Sequence, residues 1–523
     1  MKLKALLSGI SYVVLQNREQ MEQTEILRIV QDSRCARAGD LFVCIRGTQV
    51  DGHRFIWEVY EKQVTVFLVE KKAVKRENLH FPEQAIVIQV INTREAYALL
   101  AANYWGHPAD EMILLGITGT KGKTTVSIML KTLLEVQQEK VGVIGTLGIY
   151  DGEAWISSKN TTPDAFTIHE YFAKMKDNGC SYVVMEVSSQ GIKQQRICGL
   201  IFEVAVFTNL GEDHIGPEEH QSFEEYRYYK SRLFAQCRKG ICNLDDLSAA
   251  YMFRRKKCEK YGFTCQREVC DIKQMTSEQV LRADQIVYLW RNGKPSTRFS
   301  IENESYDLYL PGFFNVYNAL AALSVMRCLS YDIRKLKKAL SSVRINGRME
   351  LIHNDKNIAC YIDYAHNGLS LQAALSTLRM YEPGRILLVF GCGGNRAKSR
   401  RLEMGRAAGQ LADHVIVTTD NPRYEAPEKI AREIVEGIEK ENDFYEIILD
   451  RREAVTKAVE MAEEKDIVVI AGKGHETYQE IEGVRYEMDD HELLKDALEK
   501  RHQKEQLEEQ ERVEEPHVCR CDH

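Results

Sequence analysis

The chain has 523 residues, 44% of them hydrophobic and 28% charged, with 70 Lys and Arg against 77 Asp and Glu for a net charge of −7. That length exceeds what one hydrophobic core can organise, so about three domains are expected. The mild acidity argues against nucleic acid or an anionic membrane surface as the main partner. The 14 cysteines follow no repeated spacing; with no credible secretion signal they read as reduced thiols in a cytoplasmic protein.

The segment Met1-Lys2-Leu3-Lys4-Ala5-Leu6-Leu7 has the outline of a leader, but Ser8, Gly9 and Ser11 interrupt it and no small-residue cleavage site follows. It is read as a first structural helix or strand. No stretch approaches the roughly 18 apolar residues of a membrane span. Short buried strands are expected at 40–45, 64–69 and 85–90, separated by helices, which makes residues 1–105 a small α/β unit. Over 106–343, Val/Ile/Leu-rich runs at 112–117, 141–145, 182–187 and 203–208 alternate with helical stretches, the pattern of a doubly wound parallel sheet. Residues 344–498 repeat that alternation, with strands at 358–363, 386–390, 415–417 and 467–471, and predict a second open, Rossmann-like α/β domain. The charged tail 499–523 is expected to be disordered. Cys519 and Cys521 with His517 and His523 could bind a metal there, but disorder is the better account.

The chemistry starts at Gly116-Ile-Thr-Gly-Thr-Lys-Gly-Lys-Thr-Thr125, directly after the apolar run 112–115. A strand, a glycine turn and a helix start form a cradle for a nucleoside triphosphate. Backbone amides wrap the phosphates, Lys123 neutralises the β/γ oxygens and the Thr124 hydroxyl can bind Mg²⁺. The spacing departs from the general P-loop rule, which wants a glycine where Ile117 stands. Strand ends downstream are polar: Glu186-Val-Ser188-Ser189, then Thr208-Asn209 leading to Asp213-His214, with Lys230 in a helical stretch beyond. A carboxylate ending the neighbouring strand is where a phosphoryl-transfer enzyme needs a further Mg²⁺ ligand. Singly, Glu186 reads as well as a cap residue, His214 as a structural histidine and Lys230 as a surface charge; their joint placement favours a site.

These motifs resemble the Mur ligase family, in the branch that adds the third amino acid of the peptidoglycan stem to UDP-N-acetylmuramoyl-L-alanyl-D-glutamate. The likeness runs from Asp32-Ser-Arg34 to Gly472-Lys-Gly-His-Glu-Thr-Tyr-Gln479. Gly119-Thr-Lys-Gly-Lys-Thr124 is the family's own loop form, and Thr161-Thr-Pro-Asp164, Gly347-Arg-Met-Glu350, Asp363-Tyr-Ala-His366 and Asp420-Asn-Pro-Arg423 follow in order.

The resemblance implies an α/β protein of three domains: a UDP-substrate-binding one at 1–105, a central P-loop ATPase at 106–343 and an amino-acid-binding, Rossmann-like one at 344–498. It implies that Ser33 in Asp32-Ser33-Arg34 and the turn Gly47-Thr48-Gln49 grip the UDP end. Thr161, Thr162, Ser188, Gln194 and Arg196 hold the muramoyl-dipeptide. ATP is held by Gly119, Thr120, Lys121, Gly122, Lys123, Thr124 and Thr125, with Asn315 and Asn318 on the adenine side and Arg348 and Asp363 near phosphates and ribose. Lys123, Glu186, His214 and Lys230 are implied as catalytic. Lys230 is implied as an N6-carboxylysine, a carbamate that joins Thr124, Glu186 and His214 at two Mg²⁺ ions. For the incoming diamino acid it implies Arg396, Asp420, Asn421, Pro422, Arg423, Gly472 and Glu476. The implied reaction is ATP-dependent amide formation through an acyl phosphate, by a cytoplasmic monomer.

Asp-Asn-Pro-Arg implies meso-diaminopimelate, with the Arg423 guanidinium matched to the distal carboxylate. The stretches 213–220 and 363–368 look more like a branch that takes L-lysine, the alternative amine, and Asn395 replaces an aspartate usual before Arg396. Further alternatives are a folylpolyglutamate-synthetase-like ligase, against which the N-terminal unit speaks, an inactive nucleotide-binding homologue, and a P-loop kinase.

Overall fold

The computed structural model describes residues 1–47, 50–77, 79–212, 215–216, 219–266, 275–291, 293–352 and 358–514. They form two compact units, one of residues 1–283 with 317–336, the other of 284–316 with 337 onward.

The first unit opens with the helix Leu3–Leu6, whose Leu3 and Leu6 are buried. A five-stranded sheet follows, in the order Val13–Gln16, Ile86–Val90, Val66–Glu70, Asp40–Val43, Arg28–Val30. Only its first pairing is antiparallel. The helix Thr93–Trp105 starts on an Asn92 side chain that accepts from the amides of Arg94 and Glu95, and ends at Gly106 in the left-handed region.

The larger sheet of this unit has nine strands, with Ile113–Thr118 between Phe202–Phe207 and Tyr182–Glu186. The strand Val141–Gly145 lies beyond Tyr182–Glu186, and Cys237–Asn243 and Glu259–Thr264 lie beyond Phe202–Phe207. From the central strand the chain moves first to one side and later to the other. The C-terminal ends of three adjacent parallel strands therefore open at a topological switch point. The register sets Glu186 beside Ile117 and Phe207 beside Thr118, so the residues that follow them meet the glycine turn. Strands buried on both faces, such as Tyr182–Glu186 with every residue buried, need the near-continuous apolar sequence seen here.

In the second unit a six-stranded sheet runs Glu350–Ile352, Ala359–Asp363, Ile467–Ala471, Ile386–Phe390, His414–Val417, Tyr445–Ile447, antiparallel only at its first pair. Apolar clusters fill both faces, around Leu388, Phe390 and Met404 on one and Val389, Val455 and Leu494 on the other. Arg451 and Asp490, both fully buried, form a bidentate pair near the C-terminal end of the strand Ile467–Ala471, where Arg451 also donates to Ala471 O.

Two segments differ from the sequence reading. Residues 284–308, read within an alternation of strands and helices, form a three-stranded antiparallel sheet of Asp284–Arg291, Lys294–Ile301 and Glu304–Leu308. The second hairpin turns on Glu302 and Asn303, both at positive φ, the conformation that two-residue hairpins require. The sheet belongs to the second unit, where Trp290 Nε1 donates to Tyr381 O at 2.7 Å. The tail, expected to be disordered from 499, continues instead as the helix Asp490–Glu514. Arg501 holds it by donating to Ala462 O at 2.6 Å, a contact between distant segments that local composition does not encode. His517, Cys519, Cys521 and His523 lie outside the described residues.

Candidate active site

The turn after Ile113–Thr118 is shaped by two glycines. Gly119 and Gly122 both have positive φ; a Cβ on the first would overlap Thr208 Oγ1 and on the second Asn318 Oδ1. Residues at the end of the neighbouring strand fix the loop: Thr208 Oγ1 and Asn209 Nδ2 donate to Lys121 O at 2.6 and 3.0 Å. Lys121 N returns a bond to Asn209 Oδ1 at 2.9 Å. Thr120 Oγ1 lies 3.1 Å from the Tyr226 hydroxyl. The helix Lys123–Glu135 begins on this loop, with Thr124 and Thr125 in its first turn, so its free amides face the same space.

Lys123 folds over the turn and donates to the carbonyls of Gly119 at 3.0 Å and Thr120 at 3.1 Å. Glu186 is 1% exposed. Its Oε2 accepts from Thr124 Oγ1 and from Thr146 Oγ1, and its Oε1 from Thr146 N, all at 3.0 Å. Burial raises the Glu186 pKa above the carboxylate range, while Lys123 and these hydrogen bonds pull it back. Lys230, 2% exposed, donates to Gly119 O at 2.8 Å and lies 4.5 Å over the Tyr226 ring. His214, and Thr48 and Gln49 of the other expected turn, lie outside the described residues.

A hydrogen-bonded chain leads away from Glu186. Thr146 Oγ1 is 3.1 Å from Thr161 Oγ1, and Thr162 Oγ1 donates to Glu186 O at 2.9 Å while accepting from Ser188 N at 3.0 Å. Ser188 caps the short helix that follows by accepting from Gly191 N. Arg196 donates to Thr162 O and, through Nη2, to Gln194 Oε1 at 2.7 Å. Thus the glycine loop, Glu186, Lys230, Thr161, Thr162, Ser188, Gln194, Arg196 and Asn318 fall in one unit. Ser33, 8% exposed in a turn of the N-terminal sheet, belongs to that unit as well.

The remaining candidates, among them Asn315, belong to the second unit. Asn315 donates to Pro311 O at 2.8 Å at the start of the helix Phe313–Cys328. Asp363, ending the strand Ala359–Asp363, accepts from Met349 N at 2.7 Å and Ala365 N at 2.9 Å; burial raises its pKa. Arg348 stacks on Tyr364, and Gly472 N donates to Asp363 O at 3.1 Å. Asn421 Nδ2 donates to Glu476 Oε2 at 3.0 Å. Arg423, at φ 55, donates from Nη1 to Gly394 O at 2.7 Å and from Nε to Glu480 at 3.3 Å. Pro422 O receives Glu425 N, which closes this turn. Arg396 is exposed in the glycine loop after Phe390.

Two participants escaped the sequence reading. Thr146, which follows the strand Val141–Gly145, binds both oxygens of Glu186; its place at a parallel-strand end is the one signal the sequence holds for it. Lys473, wholly buried, donates to Asn421 Oδ1 at 3.1 Å and sits 3.7 Å from Asp420. It stood in a quoted motif, but only the fold shows that it supports Asp420-Asn421.

As a donor set for a hard cation, Thr124 and Glu186 fit: a hydroxyl and a carboxylate meet beside a phosphate loop, and the charge of Lys123 favours the ionised carboxylate. Lys230 as an ammonium does not; it would repel the metal. Among the described residues no three His, Cys, Asp or Glu side chains converge on a metal site. No helix among them is long and apolar enough to cross a membrane.

Comparison with known proteins identifies the family. Residues 25–105 match the model for the Mur ligase family catalytic domain, 117–326 the Mur ligase middle domain, and 347–474 the Mur ligase glutamate ligase domain. A UDP-N-acetylmuramoyl-L-alanyl-D-glutamate–2,6-diaminopimelate ligase of Clostridium perfringens is 37% identical over 95% of this chain and 100% of its own. The like-named protein of Caldanaerobacter subterraneus is 36% identical over 95% and 99%. A solved structure of a ligase of that name superposes with a TM-score of 0.70 at 27% identity, covering 96% of this chain and 99% of the other. Folylpolyglutamate synthase of Mycobacterium tuberculosis, at 17% identity and a TM-score of 0.53, shares the fold over 73% of this chain. Matched along nearly its whole length by such relatives, the chain belongs to the Mur ligase family.

Proposed function

We propose that this chain joins an amino group of meso-2,6-diaminopimelate to the terminal carboxylate of UDP-N-acetylmuramoyl-L-alanyl-D-glutamate, with ATP cleaved to ADP and phosphate. The observation that carries it is the pairing of a triphosphate loop bonded to a buried carboxylate with a separate Asp-Asn-Pro-Arg loop, in a chain whose full-length relatives bear that activity in their names.

The chemistry runs in two steps. The substrate carboxylate attacks the γ-phosphorus, the bond to the β-phosphate oxygen breaks, and ADP leaves with that electron pair. The acyl phosphate then accepts the amine at its carbonyl carbon; the nitrogen loses a proton and phosphate departs as the C–O bond breaks. Lys123 exchanges the Gly119 and Thr120 carbonyls for phosphate oxygens, and the amides of residues 119–125 hold charge that grows in the transition state. Mg²⁺ held by Thr124 and Glu186, with His214 and a carbamylated Lys230 at a second position, would supply Lewis-acid neutralisation of the transferring phosphoryl. Asn315, Asn318, Arg348 and Asp363 hold the nucleotide's outer parts; Ser33, Thr161, Thr162, Ser188, Gln194 and Arg196 hold the UDP-linked substrate.

For the amine, Arg423 commits Nη1 to Gly394 O and Nε to Glu480, and among the described residues its Nη2 carries no hydrogen bond. That nitrogen receives the distal carboxylate of diaminopimelate. Arg396, Asp420, Asn421, Pro422, Gly472 and Glu476 complete the pocket, with carboxylates set for the ammonium groups. L-Lysine has no distal carboxylate and would set an ammonium against the guanidinium. Dependence on ATP and a sugar nucleotide suits a cytoplasmic enzyme, acting as a monomer. Mass spectrometry of the product tests the assignment: a UDP-linked tripeptide carrying diaminopimelate is expected, and a persistent phosphorylated dipeptide would make the chain a kinase instead.

A further inference from the structure

Arg94 plays no part in the chemistry above, yet its surroundings are unusual. It is the second residue of the helix Thr93–Trp105 and lines a cleft of about 70 Å³ with Gln31, Tyr97, Asp164, Gln194 and Arg196. The cleft lies within the first unit, between the N-terminal sheet and the loops that follow the central strands. Arg94 Nη2 donates to Arg46 O at 2.7 Å, and Arg196 is committed to Thr162 O and Gln194. Among the described residues neither guanidinium makes an ion pair with a carboxylate. Burial pulls both below the ordinary arginine value; Glu70 partly offsets this for Arg94 and Asp164 for Arg196, while the charge of Arg94 depresses Arg196 further.

The one carboxylate in the cleft is already occupied. Asp164 Oδ1 accepts from Phe166 N, Thr167 N and the Tyr97 hydroxyl, and Oδ2 accepts from Thr167 Oγ1 at 2.8 Å, because Asp164 caps the helix Ala165–Asp177. Two half-buried cations thus share one cleft whose only lining carboxylate is fully hydrogen-bonded, and Asp164 and, outside the lining, Glu70 offset their charge without pairing with them. Desolvating a charge without a partner is unfavourable, and two like charges add to the cost. An oxyanion between them would relieve both terms and meet planar forks suited to bidentate contact. The cleft is also wired to the phosphoryl end of the site: Arg196 holds Thr162, and Thr162 holds the backbone of Glu186 and Ser188.

We infer that Arg94 and Arg196 form a clamp for an oxyanion of the UDP-linked substrate, which makes Arg94 a substrate-binding residue. This rests on the substrate assignment of the preceding section. The oxyanion is supplied either by the diphosphate or by a carboxylate of the muramoyl-peptide part.

Steady-state ADP release by the full chain tests it, using Arg94→Gln, Arg94→Lys and, as a control, Arg54→Gln at an exposed position. Arg94→Gln should raise KM for the UDP-linked dipeptide about 10- to 100-fold, with kcat and KM for ATP changed by less than about 3-fold. Arg94→Lys, which keeps charge but not the fork, should recover part of the loss, and Arg54→Gln should match wild type. UDP as a competitive inhibitor separates the two sources. Inhibition weakened in proportion assigns the diphosphate; unchanged inhibition beside a raised substrate KM assigns a carboxylate. An unchanged substrate KM in Arg94→Gln, with wild-type turnover normal, overturns the clamp alone. No wild-type turnover of the UDP-linked dipeptide with any amine overturns the substrate assignment and the clamp with it. Should Arg94→Gln fail to fold, the KM of Arg94→Lys decides: unchanged, it overturns the clamp.

Discussion

The loop at 119–125 and the loop at 420–423 each present a charged side chain beside glycines, but they are built from different material. In the first, backbone does the holding: Lys123 and Lys230 both donate to Gly119 O, and the neighbouring strand end clasps Lys121 O. In the second, side chains hold one another: Lys473 secures Asn421, Asn421 secures Glu476, and Arg423 leans on Glu480. A phosphate is recognised by amides that every residue carries, so its cradle depends on conformation and hence on glycine. A particular amino acid is recognised by side chains gathered from several segments. The first region should therefore govern turnover with any amine, and the second the choice of amine.

The strongest test of that division is Lys230→Ala. Turnover should fall by about 10³-fold or more with every amine while nucleotide binding survives, since the lysine's role lies in charge balance at the transferring phosphoryl. Near-normal rates would remove the carbamate assignment. Next, Glu186→Gln should lower kcat about 10²- to 10³-fold. Its effect on stability has the opposite sign. Burial places the folded pKa of Glu186 above the usual 4.5, so the ionised group costs stability at neutral pH, and that cost disappears as pH falls through the raised value. The amide variant should accordingly be at least as heat-stable as wild type at pH 8, and the acid limb of wild-type activity should lie above 4.5. A variant that melts much lower would show Glu186 to be structural.

In the second region, Arg423→Ala should raise KM for diaminopimelate about 10²-fold, the scale of a lost charge-assisted hydrogen bond, with KM for ATP unchanged. Equal losses for both substrates would break the proposed division of labour. The smallest effect concerns His491, whose pKa Glu350 and Asp489 raise to about 9. Its contribution is fully present below 6.5 and lost as pH rises through about 9. The ring is 32% exposed, so after solvent screening the contribution is of order 1 kcal/mol. Thermal melts of wild type between pH 6 and 10 should show that slope, and His491→Asn should flatten it.

The same contrast explains what could be read before folding. Gly119, Gly122, Lys123 and Thr124 are adjacent in sequence and carry their mechanism in their spacing. Glu186 followed because polar residues at parallel-strand ends point to one place. Thr146 sits at such an end too, yet a lone threonine after a strand carries no chemical signature. The second loop yielded only to family resemblance, since Asn421, Lys473, Glu476 and Gly394 meet through folding alone. The sheet at 284–308 carried a readable signal at its first turn, where Asn292-Gly293 stands between the paired Arg291 and Lys294, and the sequence reading passed over it; only the second turn, Glu302-Asn303, lacks the glycine that usually marks a two-residue hairpin. The helix beyond 499 was missed because its anchor, Arg501, reaches carbonyls some forty positions earlier in the chain.

Amine-dependent ADP release from ATP and UDP-N-acetylmuramoyl-L-alanyl-D-glutamate, with meso-diaminopimelate and L-lysine compared side by side, addresses the central claim most directly. Release driven by diaminopimelate, with kcat/KM at least about 100-fold above that for lysine, is the predicted result. A preference for lysine, or release that ignores the amine, would contradict it.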